Sequence, residues 1–148
     1  MKKLLLSFAL LTVFSFASKA QNADGKTLYE RLGERAGITK IVDDAIEAHM
    51  NNPAIQSRFT PYKEQPERLA VIKGHFVDFF SAGSGAPDAK YTGRDMPTAH
   101  RGMNISIEEY FHVVDDVLKV LDAHKIDEES KKDVLYILWS LQGSIVEK

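Results

Sequence analysis

Apolar residues recur at helical spacing along four long stretches of the chain. In "ITKIVDDAIEAHMNN" they are Ile38, Ile41, Val42, Ala45 and Ile46, with His49 in phase, and the pattern stops before Pro53. "PERLAVIKGHFVDFFSA" gathers Leu69, Ile72, Phe76, Phe79 and Phe80 on one broad face. It opens on Pro66, a residue favoured in a first helical turn. "SIEEYFHVVDDVLKVLDAH" sets Ser106 and Glu109 at capping-box spacing and carries Ile107, Tyr110, Phe111, Val114, Val117, Leu118 and Leu121 in phase. Asp127 caps a last helix through Val134, Ile137, Leu138, Leu141 and Ile145. A shorter helix is expected over "TLYERLGERAG", ending near Gly33 or Gly37. With no alternating strand pattern and no internal repeat, the chain reads as one all-α domain.

Between these helices lie two connections. "AIQSRFTPYKEQ" carries Ile55, Phe59 and Tyr62. "GSGAPDAKYTGRD" is too rich in Gly and Pro for a long helix. It leads into "MPTAHRGMNIS", where His100 sits between Pro97 and Gly102. Pro97 limits how far a helix extends toward the N-terminus, and Gly102 lets the chain turn before Ser106, leaving room for about one turn of helix.

The first 20 residues change the picture of where the domain works. Lys2 and Lys3, an apolar run from Leu4 to Ala17 and a small-residue site at Ser18-Lys19-Ala20 describe a cleaved signal peptide, hence an exported, periplasmic or secreted protein. An uncleaved anchor is the competing reading of this segment. The domain plan is then a leader over 1–20, a polar linker over 21–26 and the folded domain over 27–148. Without Lys2, Lys3 and Lys19, 16 basic residues face 21 acidic ones, a net of −5. Such a domain lacks the basic footprint of a nucleic-acid partner or an anionic membrane. With no cysteine, it holds no disulfide, thiolate metal site or cysteine nucleophile.

The remaining chemistry narrows quickly. The acidic pairs Asp43-Asp44, Glu108-Glu109, Asp115-Asp116 and Glu128-Glu129 each split across a helix surface and do not make the Glu-x-x-His set of a di-metal bundle. "SAGSGAP" lacks the Lys-Ser/Thr of a phosphate loop, and no Gly-x-Ser-x-Gly elbow occurs. Of five histidines, His124 suits a helix C-terminus, while His49 and His112 suit partly buried helical positions. His75 lies on the helix carrying Phe79 and Phe80, and His100 in the constrained segment. With Phe59, Tyr91 and Met96 also outside long helices, an apolar slot with one or two histidines is compatible with a porphyrin.

The order of "TLYERLGERAGITKIVDD", "NNPAIQSRF" and "HFVDFFSAGSGAPDAKYTGRDMPTAHRGMNIS" resembles group I truncated haemoglobins over nearly all of residues 27 to 146. The resemblance implies a truncated globin, a two-over-two helical sandwich around haem b. It places His100 at the proximal iron ligand and Phe59 against the porphyrin. Ile72, His75 and Phe76 fall over the iron on the distal helix, and Tyr91, Arg94, Met96 and Ile105 border the proximal face, with Arg94 near a propionate. The extra residues around "TPYKEQP" lengthen the connection ahead of the distal helix.

Many family members carry a Phe-Tyr pair on the second helix whose hydroxyl bonds bound dioxygen. The aligned pair here is Ala45-Ile46, and Phe76 stands where many members carry a polar group. One charge-assisted hydrogen bond in a dry pocket is worth about 1.5–3 kcal/mol, so the expected preference is for carbon monoxide and nitric oxide over dioxygen. His75 matches a position where some cyanobacterial members close the sixth coordination site, and it equally suits a haem propionate at the pocket edge. The implied function is reversible binding of diatomic gases, or electron transfer with a redox partner the sequence does not identify. An enzymatic nitric-oxide or peroxidase-like role stays open. The competing class is a haem-free globin-fold sensor or binding module, or a haem carrier in the envelope.

Overall fold

The structure is a computed structural model that describes residues 24–148; the leader expected over residues 1–20 lies outside the described residues. The described chain forms seven α-helices: α1 (Leu28–Arg31), α2 (Glu34–Asn51), α3 (Gln56–Phe59), α4 (Pro66–Gly83), α5 (Met96–His100), α6 (Ile107–Ala123) and α7 (Glu128–Ile145). None of them is long and apolar enough to cross a membrane.

The expected caps are in place. Ser106 and Glu109 close a reciprocal capping box on α6, Asp127 accepts from the Ser130 N–H at the start of α7, and Pro66 is the first residue of α4. Thr27 and Glu30 make a second box on α1 that the apolar pattern does not reveal. α1 stops at Leu32-Gly33, and α2 begins at Glu34, ahead of the expected Ile38. Gly37 therefore lies within α2, its N–H donating to the Gly33 carbonyl at 2.9 Å. The first turn of α2 is polar and so leaves no apolar trace. The connection after α2 also proves partly helical, holding α3 and a 3-10 turn over Thr60–Glu64.

α2 is the central element. It packs against α4 on one side and α6 on the other, while α6 pairs with α7. Ile38, Ile41, Val42, Ala45, Ile46, His49 and Met50 are accordingly all buried along it. Leu28 from α1 and Leu32 just after it, Val77 from α4, Val117, Val120 and Leu121 from α6, and Val134 and Leu138 from α7 complete the core. Each large aliphatic side chain so buried contributes about 1.5–3 kcal/mol. Two residues in phase on α6, Ile107 and Phe111, instead face outward, at 40% and 44% exposure.

One polar cluster is sealed inside. His49 and Asp116 are both buried, and Nδ1 of His49 lies 3.1 Å from the Asp116 carboxylate. A carboxylate can only accept, so Nδ1 carries the proton. Asn52 donates its side-chain amide to both Asp116 oxygens at 3.0 and 2.9 Å, tying the end of α2 to the middle of α6. Burial holds the His49 pKa below its ordinary value, against the opposing pull of Asp116.

The end of the chain makes a short strap. Ile105 and Val146 form a parallel β-bridge, the Glu147 N–H donates to the Ile105 carbonyl at 3.0 Å, and the Gly102 and Asn104 N–H groups donate to the Lys148 carbonyl at 2.8 and 3.3 Å. The segment just after His100 is thereby held by residues more than forty positions away.

Two outcomes follow from these contacts. Below about pH 6.5 the unfolded chain takes up a proton that native His49 resists, so this contribution to stability is full above that pH and lost on acidification. His49→Gln, which retains an N–H donor for Asp116, should flatten the fall in urea midpoint between about pH 7 and pH 5. Deleting residues 146–148 should speed amide exchange at Gly102 and Asn104 while leaving core amides of α2 nearly unchanged, as measured by native-state hydrogen exchange.

Candidate functional site around His100

α5 is a five-residue helix whose purpose is visible in its hydrogen bonds. Asp95 caps it, its carboxylate accepting from the Thr98 N–H at 2.8 Å and the Thr98 hydroxyl at 2.9 Å. The Thr98 N–H holds the Asp95 carboxyl below the usual carboxylate range, which keeps the cap charged. His100 is the last residue of this helix and is half-buried. Its Nδ1 lies 2.8 Å from the Met96 carbonyl oxygen. A carbonyl has no proton to give, so Nδ1–H is the donor, and in the neutral imidazole this tautomer leaves the Nε2 lone pair for an electrophile or metal.

The chain beyond His100 is anchored from three directions. Gly102 turns it with φ +78°, a left-handed conformation that favours glycine. The strap of residues 146–148 takes the Gly102 and Asn104 amides. Arg58 donates from Nη1 to the Met103 carbonyl at 2.8 Å, and from Nε and Nη2 to the Glu109 carboxylate at 2.8 and 2.9 Å. This fork pushes the Glu109 pKa down and joins α3 to the start of α6.

α4 carries a second, unshared apolar face. α4 packs on α2 and the 60–64 turn, whereas α5 packs on α7. Ile72 and Phe79 are only half-buried and Phe76 is 38% exposed, an apolar surface with no helix closed over it, while Phe80 packs against the core. Tyr91 lies along its edge, its ring T-shaped to Phe79 at 5.4 Å and to His75 at 6.1 Å. The Tyr91 hydroxyl donates to the Arg94 carbonyl at 2.8 Å, closing a tight loop. A Cβ at Gly93 would overlap the tip of the Tyr91 ring, so a larger residue there would displace that ring from its place. Burial raises the Tyr91 pKa and keeps the hydroxyl a donor.

The residues singled out in the sequence thus fall into groups. His75 is exposed and rests on Tyr91, while Phe76 and Ile72 lie on the same helix without a ring contact to either. Met96 and Ile105 are half-buried on either side of His100, and Arg94 is exposed. Phe59 stacks at 4.8 Å and a 37° tilt on the buried ring of His49. Ile46 is 4% exposed and belongs to the core of α2, where it meets a polar surface cavity of about 270 Å³ that also touches Asp43, Lys63, Leu69 and Lys73. A second cavity of about 380 Å³ lies at residues 64–68. Neither borders His100, and the polar residues in both make poor sleeves for an apolar group. Arg58 and the 146–148 strap escaped the sequence reading, because their contacts to the His100 segment are to backbone carbonyls and amides.

Among the described residues, no group of three or more His, Asp or Glu side chains is placed to hold a metal ion. A bare ion needs several protein donors, and a single imidazole retains a metal when a macrocycle supplies the other ligands. One histidine with Nε2 free of protein partners, and no grouped donors beside it, fits a metal complex that brings its own other ligands, such as haem.

No protein-family model matches the chain. A group 1 truncated hemoglobin, GlbN, of Mycolicibacterium paratuberculosis is 23% identical over 118 residues, covering 80% of this chain and 82% of that relative. Among solved structures, the truncated hemoglobin of Tetrahymena pyriformis in its Fe(III) form superposes with a TM-score of 0.73 at 17% identity, covering 83% of this chain and all of that one. The 2/2 hemoglobin of Synechococcus sp. PCC 7002, solved in the cyanomet state with covalently attached heme, gives a TM-score of 0.69 at 21% identity over 79% of this chain and 94% of its own. The chain has the two-over-two fold of the truncated haemoglobins, and its sequence likeness is to their group 1.

Proposed function

We propose that the chain binds haem b through His100 Nε2 and presents it to a diatomic gas. The observation that carries this reading is the His100 imidazole itself, its Nδ1–H committed to the Met96 carbonyl and its Nε2 left as a ligand on a capped, strapped helix. Bound haem would supply a redox-active iron able to take a small ligand. The protein's part is to aim one nitrogen and to keep water away from the other side. Phe76, Phe79 and Ile72 provide the apolar surface, and Phe59 adds an aromatic ring from the end of α3. Donation to the Met96 carbonyl also raises the basicity of Nε2.

His75 and Arg94 belong at the rim in this proposal. Both are exposed, and His75 already rests on Tyr91, which supports contact with a propionate. Coordination of iron by His75 would require its ring to leave Tyr91. Ala45 and Ile46 are buried and apolar, so α2 offers no hydroxyl at those positions to a bound gas. That supports the expected preference for carbon monoxide and nitric oxide over dioxygen. The leader-like first 20 residues support an exported site of action.

Purified protein should show a Soret band that shifts on reduction and again with carbon monoxide. His100→Gly should lose it, and added imidazole should restore it. An undiminished Soret band in His100→Gly without imidazole would contradict the assignment. His75→Ala should leave the ferric electron paramagnetic resonance spectrum unchanged while speeding haem transfer to apomyoglobin by about two- to fivefold, the scale of one exposed ion pair. A change from low to high spin in that variant would instead make His75 the sixth ligand.

A further inference from the structure

His100 leaves α5 through a tight turn. The Met103 N–H donates to the His100 carbonyl at 3.0 Å, and between them Arg101 lies at φ −56°, ψ 127° and Gly102 at φ +78°. These are the angles of a type II β-turn, whose third residue is left-handed and therefore best a glycine. The turn closes on the backbone of His100 itself, so a restraint on Met103 is also a restraint on the residue that carries the imidazole. One hydrogen bond favours such a turn over other conformers by only about two- to tenfold, so the turn needs an outside hold to stay in one shape.

Arg58 supplies that hold. Its Nε and Nη2 donate in parallel to Oε1 and Oε2 of Glu109 at 2.8 and 2.9 Å, while Nη1 donates to the Met103 carbonyl at 2.8 Å. A guanidinium is planar, so fixing Nε and Nη2 on a carboxylate sets the direction in which Nη1 donates. Glu109 is held in turn, its Oε2 accepting from the Ser106 N–H at 2.9 Å in the capping box of α6. α3, which carries Arg58, has four residues and too few internal bonds to keep its own place. Asn52 pins its start. The Asn52 backbone carbonyl accepts from the Ile55 and Gln56 N–H groups at 3.1 and 2.8 Å, and its side-chain oxygen accepts from the Ala54 N–H at 3.1 Å. Its side-chain nitrogen meanwhile grips Asp116 of α6. Residues 52–59 are thus fastened to α6 twice, at Asp116 and at Glu109, roughly two helical turns apart. Two fastenings to one helix limit rotation of the segment as well as its translation.

We infer that Arg58 is a positioning residue for His100: carried on a strut that α6 holds at two points, it fixes the turn at residues 100–103 and with it the direction of the imidazole. As a statement about iron this rests on the reading of His100 as the ligand; as a statement about the turn it does not. An ion pair between Arg58 and Glu109 alone would add to stability without reaching His100. The third bond, to the Met103 carbonyl, is what separates the two roles.

Three variants of the full chain test this. Arg58→Met keeps the apolar stem and loses every donor. Arg58→Lys keeps the charge and loses the planar fork. Glu109→Gln can still complete the capping box but cannot take two parallel charged bonds. In the haem-free chain, native-state hydrogen exchange at the Met103 amide should speed by about two- to tenfold in Arg58→Met relative to core amides of α7. In the haem-loaded protein the iron–histidine stretching band should shift and broaden in Arg58→Met and in Glu109→Gln. Arg58→Lys should recover the urea midpoint more fully than it recovers the band. A band and a Met103 exchange rate both unmoved in Arg58→Met overturn the inference. So does a band that merely tracks the urea midpoint through all three variants, the behaviour of a structural ion pair. If the unaltered chain shows no Soret band with added haem, the haem reading fails and Met103 exchange alone decides the clamp.

Discussion

The hydrogen bond from His100 Nδ1 to the Met96 carbonyl is the contact on which the site turns. It fixes the tautomer and the ring direction together, so that one nitrogen is occupied and the other is bare. A five-residue helix has too few internal hydrogen bonds to hold such a geometry alone. The Asp95 cap, the Arg58 bond to Met103 and the strap of residues 146–148 supply what α5 lacks. Each reaches the segment from a different part of the chain, which makes the aim of one imidazole a property of the whole fold.

The packing of the long helices has the complementary consequence. α2 is sealed between α4 and α6, and its ordering commits most of the apolar residues of the core. The price of that arrangement is that α4 shows its second face, with Phe76 and Phe79, to a region no helix closes. The His49–Asp116–Asn52 cluster locks α2 to α6 and abuts Phe59, so the sealed side and the open side meet at one ring. α7 is likewise apolar on two faces, one spent on the core and on α5, the other on the surface.

What could be read from the sequence was what is decided locally. The periods of α2, α4, α6 and α7, and the caps at Pro66, Ser106 and Asp127, depend on neighbours within a turn or two. The polar first turn of α2 and the 3-10 turn at Thr60–Glu64 carry no apolar signal, and their extents appear only in three dimensions. Periodicity finds an apolar residue but does not say which neighbour covers it, so Phe111 reads as core and lies outside. His100 stood out because a proline and a glycine bracket it. Its support stayed hidden, since backbone hydrogen bonds such as Glu147 to Ile105 have no residue signature.

The central claim is that His100 Nε2 is the iron's protein ligand. Resonance Raman spectra of the reduced protein, photolysed from its carbon monoxide complex, read that bond directly. An iron–histidine stretching band that shifts with ¹⁵N-labelled histidine and vanishes in His100→Gly is the predicted result. A band that persists in His100→Gly, or the absence of any histidine-sensitive band in the haem-loaded protein, would contradict it.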